Sequence, residues 1–147
     1  MPTKVLFSNP PWWGDKLPDG KYMAGVRAGS RWPFMMPVRS QPDNYVHGDY
    51  LPYPFFMGYA TTYVAQNTNS DVFFRDSIAL RESYESWWAH LEQEKYDYLF
   101  FEIATPSWSH DFLLITELKS RFPSLKIVIT GPIVLALSES MFLALRI

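Results

Sequence analysis

Four short apolar runs, each ended by a turn signal and separated by helix-length segments, constrain the fold of this chain most strongly. The runs are residues 4–8, 71–75, 98–104 and 126–130. Proline or glycine follows three of the four runs within a few residues, and proline disfavours continued regular structure. Strands separated by single helices imply right-handed crossovers, and therefore a parallel sheet. The pattern predicts one α/β domain with an open, doubly wound, mainly parallel sheet.

The segments between these runs have helical spacing of apolar residues. The clearest is 82–95, where Tyr84, Trp87, Trp88 and Leu91 recur at i, i+3, i+4 and i+7, which predicts an amphipathic helix. His90 lies on the polar side of this helix, where a solvated histidine is the simplest interpretation. The other predicted helices are residues 54–66, a segment that begins at Ser107 or Ser109, and residues 133–146.

Residues 12–54 interrupt the alternation with a long segment rich in tryptophan, proline, glycine and arginine. A connection of this length inside a compact domain is usually functional or disordered. Its many large apolar residues favour packing over disorder, since disordered chains are poor in them. We therefore predict a long irregular loop that carries part of the function.

Composition excludes several function classes. The 147 residues contain no cysteine, so this chain can hold no disulfide, thiolate zinc site or iron–sulfur cluster. A net charge of −2 without basic clusters argues against nucleic acid as a partner. The longest apolar stretch, 133–147, is shorter than the about 20 residues that a membrane span requires. We expect a cytoplasmic domain without a membrane partner.

The ligand site of an open parallel sheet lies beyond the carboxyl ends of the strands, where the strand order reverses. This rule selects four short turns at those ends: Asn9-Pro10-Pro11, Asp76-Ser77, Thr105-Pro106-Ser107 and Gly131-Pro132. Prolines occupy the place where a dinucleotide-binding fold has its glycine-rich motif, and prolines donate no backbone hydrogen bond. The pattern of a phosphate-binding P-loop is also missing, so both nucleotide classes are disfavoured.

No catalytic set can be assembled from the titratable residues. His47, His90 and His110 lack the spacing of a metal motif, and no nucleophile lies in an evident arrangement with a base. His110 begins a predicted helix near the crevice, where it either packs or contacts a ligand. Glu102 ends a buried strand and either faces the crevice or pairs with a cation such as Arg27 or Arg31. We therefore assign no catalytic and no metal-binding residue.

Six segments, in order, resemble one known family. They read KVLFSNPPW, GVRAGSRWPF, YLPYPFFMGYAT, DVFFRDSIALRES, FFEIATPSWSHD and KIVITGP, and they extend from Lys4 to Pro132. This series is similar to the N-terminal cobalamin-binding domain of cobalamin-dependent radical S-adenosylmethionine proteins. The D-x-H-x-x-G motif of many other cobalamin domains is absent, which fits the radical subfamily, where that histidine is often missing. The sequence departs from the subfamily in having Ile133 where histidine commonly follows Gly-Pro.

The resemblance implies a flavodoxin-like, Rossmann-like sheet that binds cobalamin across its carboxyl edge, with the nucleotide tail of the cofactor inserted into the crevice. Residues at the four turns would line the cobalamin pocket, and residues 27–32 would cover one side or face another domain. Carried over by position, the cofactor-binding residues are Asn9, Pro10, Asp76, Thr105, Pro106, Ser107, Gly131 and Pro132.

The resemblance also implies a partner that lies outside this sequence. In such proteins a barrel domain with three cysteines binds a [4Fe–4S] cluster and S-adenosylmethionine, and cobalamin often relays a methyl group. We expect residues 1–147 to be the cofactor module without its fifth strand and without its own activity. The alternative is a degenerate or split fragment that binds a protein partner through Trp12, Trp13 or Trp32 and takes no cofactor.

Overall fold

The structure is a computed structural model and describes residues 2–11, 13–16, 22–24, 34–36, 53–80, 82–103, 108–131 and 134. Seven strands and three helices lie in these ranges. In chain order they are β1 (Lys4–Asn9), β2 (Trp13–Lys16), β3 (Tyr22–Ala24), β4 (Phe34–Met36), α1 (Phe55–Asn67), β5 (Asp71–Asp76), α2 (Tyr84–Glu94), β6 (Tyr98–Glu102), α3 (Trp108–Arg121) and β7 (Lys126–Thr130).

Four of these strands form one parallel sheet in the order β5-β1-β6-β7. Asn9 pairs with Asp76 at the carboxyl end of the first two strands, and Glu102 pairs with Thr130 at the end of the last two. The chain moves from β1 to β5 on one side and then returns to β6 on the other. The strand order therefore reverses between β1 and β6, and the predicted α/β fold with a parallel sheet is confirmed.

Helices pack on both faces of this sheet. Val5 and Phe7 of β1 contact Met57 of α1 on one face, which we call the α1 face. Leu6, between them, points to the opposite face because side chains alternate along a strand. There it joins a larger core with α2 and α3, the α2/α3 face. The buried members of that core are Leu6, Trp87, Trp88, Leu91, Tyr96, Leu99, Phe101, Ile103, Leu114, Ile115, Leu118 and Leu125.

The predicted irregular loop at 12–54 contains regular structure. Three short antiparallel strands lie within it in the order β2-β3-β4, with Trp13 opposite Ala24 and Tyr22 opposite Met36. Each strand has only three or four residues. So short a strand has too few alternations to produce a readable period, and the sequence interpretation therefore missed this sheet.

Helix ends follow local capping chemistry. α2 begins after Ser83, whose side chain accepts a hydrogen bond from the Ser86 backbone at 3.3 Å. It ends at Lys95, which adopts the left-handed conformation with φ 54°. The helix is thus slightly shorter than the predicted 82–95, and β6 ends at Glu102 rather than at residue 104. The helix predicted at 133–146 lies outside the described residues, apart from Val134.

None of the helices in the described ranges combines the length and the apolar character that crossing a lipid bilayer would demand.

Candidate functional site

The carboxyl end of the sheet presents two layers of side chains on the α1 face. Alternation places Phe7 and Asn9 of β1 on this face, and it places Phe100 and Glu102 of β6 on the same face. Thr130 of β7 is the register partner of Glu102. An apolar layer therefore lies beneath a polar row, and the polar row is at the edge where ligands of parallel sheets bind.

A groove of about 450 Å³ opens between α1 and this part of the sheet. Its floor is formed by Phe7 and Phe100, whose rings stack with centroids 4.4 Å apart and an angle of 20° between their planes. Helix α1 forms one wall, and the polar row closes the upper end. The residues that line the groove are Phe7, Phe56, Met57, Ala60, Phe100, Glu102, Thr130 and Gly131. The groove can accept a flat apolar group that enters from the carboxyl edge.

The polar row continues from the groove to β5. Asn9 is 4% exposed and Asp76 is 8% exposed, and the Asp76 carboxylate accepts a hydrogen bond from the Ala79 backbone at 3.3 Å. The Ser77 backbone donates to the Asn9 carbonyl at 3.1 Å. The side-chain nitrogen Nδ2 of Asn9 and the hydroxyl Oγ of Ser77 are both buried and have no hydrogen-bond partner within the described ranges.

Gly131 allows the ends of β6 and β7 to approach closely. Its φ is +116°, a conformation that side-chain-bearing residues rarely adopt. A Cβ atom at this position would lie 2.2 Å from the backbone oxygen of Ile103. The Ile103 backbone in turn donates to the Thr130 carbonyl at 2.9 Å. Glycine is therefore required here to build the upper end of the groove.

Glu102 lies among the residues that line the groove, consistent with the interpretation in which it faces the crevice. Arg27 and Arg31, the alternative partners, lie outside the described residues. Arg75 of β5 precedes Asp76 of the polar row, and alternation along the strand places its side chain on the opposite face of the sheet. It makes a bidentate ion pair with the buried Glu82, with Nε 2.9 Å from Oε1.

A tyrosine–histidine pair joins the first turns of α2 and α3 on the α2/α3 face. The Tyr84 hydroxyl lies 2.6 Å from Nε2 of His110. Burial and the nearby Asp111 carboxylate raise the pKa of Tyr84, and burial lowers the pKa of His110. Both shifts favour the neutral forms, and in that state the phenol and the imidazole share one hydrogen bond. This pair holds the two helices together beside the carboxyl edge.

Acidification from about pH 7.5 to about pH 5.5 is therefore expected to lower the free energy of unfolding, because His110 becomes protonated. The unfolded chain titrates near the ordinary pKa of 6.5, whereas the folded-state pKa is lower. The unfolded state thus binds the proton first as pH falls, and the free energy of unfolding falls with it. His110→Gln, which does not titrate, should show a smaller fall in melting temperature over this range. An equal fall in both proteins would contradict the prediction.

His90 is not simply solvated, contrary to the sequence interpretation. Its Nε2 atom lies 3.0 Å from the Tyr96 hydroxyl, and burial, with a contribution from Arg75, lowers its pKa. Burial raises the pKa of Tyr96 to about 12. The left-handed Lys95 ends α2 and turns the chain back, and this turn brings Tyr96 to His90. A helical-wheel projection shows only the residues of the helix. It therefore could not show that the chain after α2 brings Tyr96 to His90.

The structure brings together some of the predicted site residues. Asn9, Asp76 and Gly131 lie along one edge, and Pro10 is buried directly after β1. Thr105, Pro106, Ser107 and Pro132 lie outside the described residues. Sequence reasoning missed the apolar half of the site. Alternation along β1 and β6 does indicate that Phe7 and Phe100 share a face with Asn9 and Glu102, but not that the two strands are neighbours.

Within the described ranges no group of three or more histidine, aspartate and glutamate side chains is placed to bind a metal ion. Comparisons of the chain with protein-family models, with curated proteins and with solved structures found no match.

Proposed function

We propose that this chain is the cobalamin-binding module of a radical S-adenosylmethionine enzyme, of the methyltransferase type, and that it is not catalytic alone. The groove on the α1 face carries the proposal. It is apolar, has a floor of stacked aromatic rings, and opens at the carboxyl edge beside the point where the strand order reverses. That is where ligands of open parallel sheets bind.

The groove suits one part of cobalamin better than the whole. Its volume of about 450 Å³ fits within the usual range of small-molecule pockets and would take the flat heteroaromatic base of the nucleotide tail. The corrin ring is too large for it and would lie above the edge, against the turns that contain Asn9, Pro10, Asp76 and Gly131. Thr105, Pro106, Ser107 and Pro132 are proposed contacts from the remaining turns.

The strand order supports the same proposal. In chain order the parallel strands are β1, β5, β6 and β7, so the sheet reads second, first, third, fourth. This is the order of a flavodoxin-like sheet as far as its fourth strand. We propose that a barrel domain outside residues 1–147 holds the [4Fe–4S] cluster, since these residues contain no cysteine.

In the proposed enzyme, cobalamin would supply the carrier of the transferred methyl group. The residues of this chain would bind and orient it: Phe7 and Phe100 by contact with the flat base, and the polar row by hydrogen bonds at the edge. A flat aromatic group buries a large apolar area in such a site, and the few polar contacts fix its orientation. No step of the reaction is assigned to a side chain of this module.

The direct test mixes the purified protein with hydroxocobalamin and separates the two by gel filtration. The red corrin chromophore is expected to elute with the protein in a ratio close to one. A colourless protein fraction at cofactor concentrations of about 100 µM would exclude a standard free energy of binding more favourable than about −6 to −8 kcal/mol. That result would overturn the proposal.

Ala60→Trp is expected to block the groove and to weaken cobalamin binding by at least about tenfold. Ala60 lines the groove from an exposed position on α1, so an indole there fills the space without disturbing the core. The matched control is Ala65→Trp, an exposed alanine on the same helix that does not line the groove. Equal chromophore retention by the two variants would mean that cobalamin, if bound, does not use this groove.

One observation favours the alternative function, a protein-interaction domain without a cofactor. Helix α1 also exposes Phe55, Tyr59 and Tyr63, and Tyr59 and Tyr63 are each 69% exposed. Exposed aromatic patches of this kind are typical of protein interfaces. Under this alternative the chain would bind no cobalamin, and substitution of Trp12, Trp13 or Trp32 would abolish capture of the partner.

A further inference from the structure

Helix α1 and the residues beside it carry no charged side chain. Residues 53–70 contain no aspartate, glutamate, lysine, arginine or histidine, although 19% of the whole chain is charged. Most of the helix is nevertheless in contact with solvent, and Met57 is its only buried residue. A surface helix usually has charged and polar residues on its outer side. The outer side of α1 therefore differs from an ordinary solvated surface.

Five exposed aromatic residues lie together on and beside this outer side. The ring centroids of Tyr53 and Phe55 are 5.1 Å apart, and those of Phe55 and Tyr59 are 6.4 Å apart. The ring of Phe74, on β5, is 6.1 Å from that of Tyr53, and Tyr63 lies about one helical turn beyond Tyr59. Each of the five is between 37% and 69% exposed. We call these five residues the aromatic patch.

The area of the aromatic patch corresponds to one side of a protein interface. At about 200 Å² for each aromatic side chain, the exposed fractions amount to about 600 Å² on one molecule. This value is at the upper end of the range for the largest patches of monomeric proteins, about 300–600 Å². Two such patches packed together would bury about 1,200 Å², which is the lower end of the range for specific, stable interfaces.

The chemistry of the aromatic patch selects a partner surface that is also uncharged. A charged side chain packed against it would lose its hydration without gaining a counter-charge. A second copy of α1 meets this condition because it presents the same neutral rings. The hydroxyls of Tyr59 and Tyr63 and the amide of the exposed Gln66 can each donate and accept hydrogen bonds. These polar groups can therefore pair with copies of themselves.

We propose that this protein forms a two-fold symmetric dimer in which the aromatic patches of two copies pack against each other. In such a dimer both copies use the same surface, so one neutral patch is sufficient. Phe55, Tyr59 and Tyr63 recur every four residues and form one row along the helix. Tyr59 is the middle member of this row, and the two-fold axis is placed beside it.

The aromatic patch and the ligand groove use different residues of α1. The groove is lined by Phe56, Met57 and Ala60 of this helix, and none of them belongs to the patch. Packing through the patch therefore does not require the groove. Dimerisation and cobalamin binding are separate properties, and the failure of either proposal leaves the other standing.

Sedimentation velocity of the purified protein between about 2 and about 400 µM tests for the dimer. A change from monomer to dimer is expected, with a dissociation constant of about 1–100 µM for an interface of this size. Raising sodium chloride from about 50 to about 500 mM should not weaken the dimer, because salt screens charges and this interface has none. A monomer over the whole concentration range would overturn the proposal, as would a dimer that dissociates when salt is added.

Tyr59→Lys is expected to weaken dimerisation by at least about tenfold, because it places two like charges beside the two-fold axis. Tyr59 is 69% exposed, so the variant should fold and keep its melting temperature to within a few degrees. The matched control is Leu113→Lys, which changes a 68% exposed residue of α3 and should dimerise like the wild type. Equal weakening by the two variants would overturn the proposal.

A single introduced cysteine identifies the contacting surface, because the chain has no cysteine of its own. Tyr59→Cys is expected to form an intermolecular disulfide under mild oxidation, since facing Cα atoms at the axis can lie within the about 4.4–6.8 Å that this bond requires. Leu113→Cys should remain a monomer on the same non-reducing gel. Absence of the cross-link in Tyr59→Cys, or equal cross-linking of both variants, would overturn the pairing of α1 with its copy.

Discussion

Trp87→Ala is expected to lower the free energy of unfolding by about 3–5 kcal/mol, the usual cost of removing a large aromatic side chain from a core. Trp87 is fully buried at the centre of the α2/α3-face core, with its ring 4.9 Å from Trp88 and 6.5 Å from Tyr84. The loss is a large part of the total stability of a typical domain. Urea unfolding followed by far-ultraviolet circular dichroism measures it without relying on tryptophan fluorescence.

Trp87→Phe is the matched control because it keeps most of the apolar volume. It removes the hydrogen bond that the indole Nε1 donates to the buried Ser8 hydroxyl at 3.0 Å, and the expected loss is about 1–2 kcal/mol. Adding Ser8→Ala to Trp87→Phe should cost less than the sum of the single changes, since both remove the same bond. An unfolding midpoint of Trp87→Ala equal to that of the wild type would contradict this description of the core.

Gly131→Ala is expected to lower the free energy of unfolding by about 2–4 kcal/mol and to weaken the proposed cobalamin binding, as measured by chromophore retention in gel filtration. Its φ of +116° is strained for alanine, and the new Cβ would lie 2.2 Å from the Ile103 backbone oxygen. Backbone cannot move aside as a side chain can, so the ends of β6 and β7 would have to separate. The upper end of the groove, formed by Glu102, Thr130 and Gly131, would change with them.

Gly58→Ala provides the matched control for this prediction. Its new Cβ would meet the Tyr53 hydroxyl at 2.4 Å, but that atom is the end of a half-exposed side chain that can rotate away. Alanine is also favoured over glycine within a helix by about 0.5–1 kcal/mol. Gly58→Ala should therefore be neutral or stabilising in thermal unfolding. Similar losses in the two variants would show that backbone strain at Gly131 is not the cause.

Much of the parallel domain could be predicted from local pattern. The strand at Lys126–Thr130 is the same in prediction and structure, and α2 follows the spacing of Tyr84, Trp87 and Leu91, with Trp87 and Leu91 buried. These elements are readable because periods of about two and 3.6 residues appear directly in the order of apolar residues. The turns selected for the site include Asn9 and Asp76, which do lie side by side.

Other features depend on contacts between segments far apart in the chain. Phe7, Met57 and Phe100 line the same groove. They are adjacent because of the strand order and because α1 packs on that face of the sheet. The same is true of two other features, which also depend on contacts between separate segments. They are the antiparallel sheet of β2, β3 and β4 and the contact between His90 and Tyr96. Periodicity describes how one element presents its own side chains, and it contains no information on which element lies beside it.

The sequence by itself thus determined the class of fold, the alternation of strands and helices, and which turns follow the carboxyl ends of the parallel strands. The tertiary structure alone decided that β1 lies between β5 and β6, that an apolar groove lies beneath that edge, and that the Asn9 amide is buried there beside carboxylates. The physical reason is that local elements follow from the spacing of neighbouring residues. A site is instead formed by the register and packing of strands distant in sequence, and these depend on the burial of the whole core.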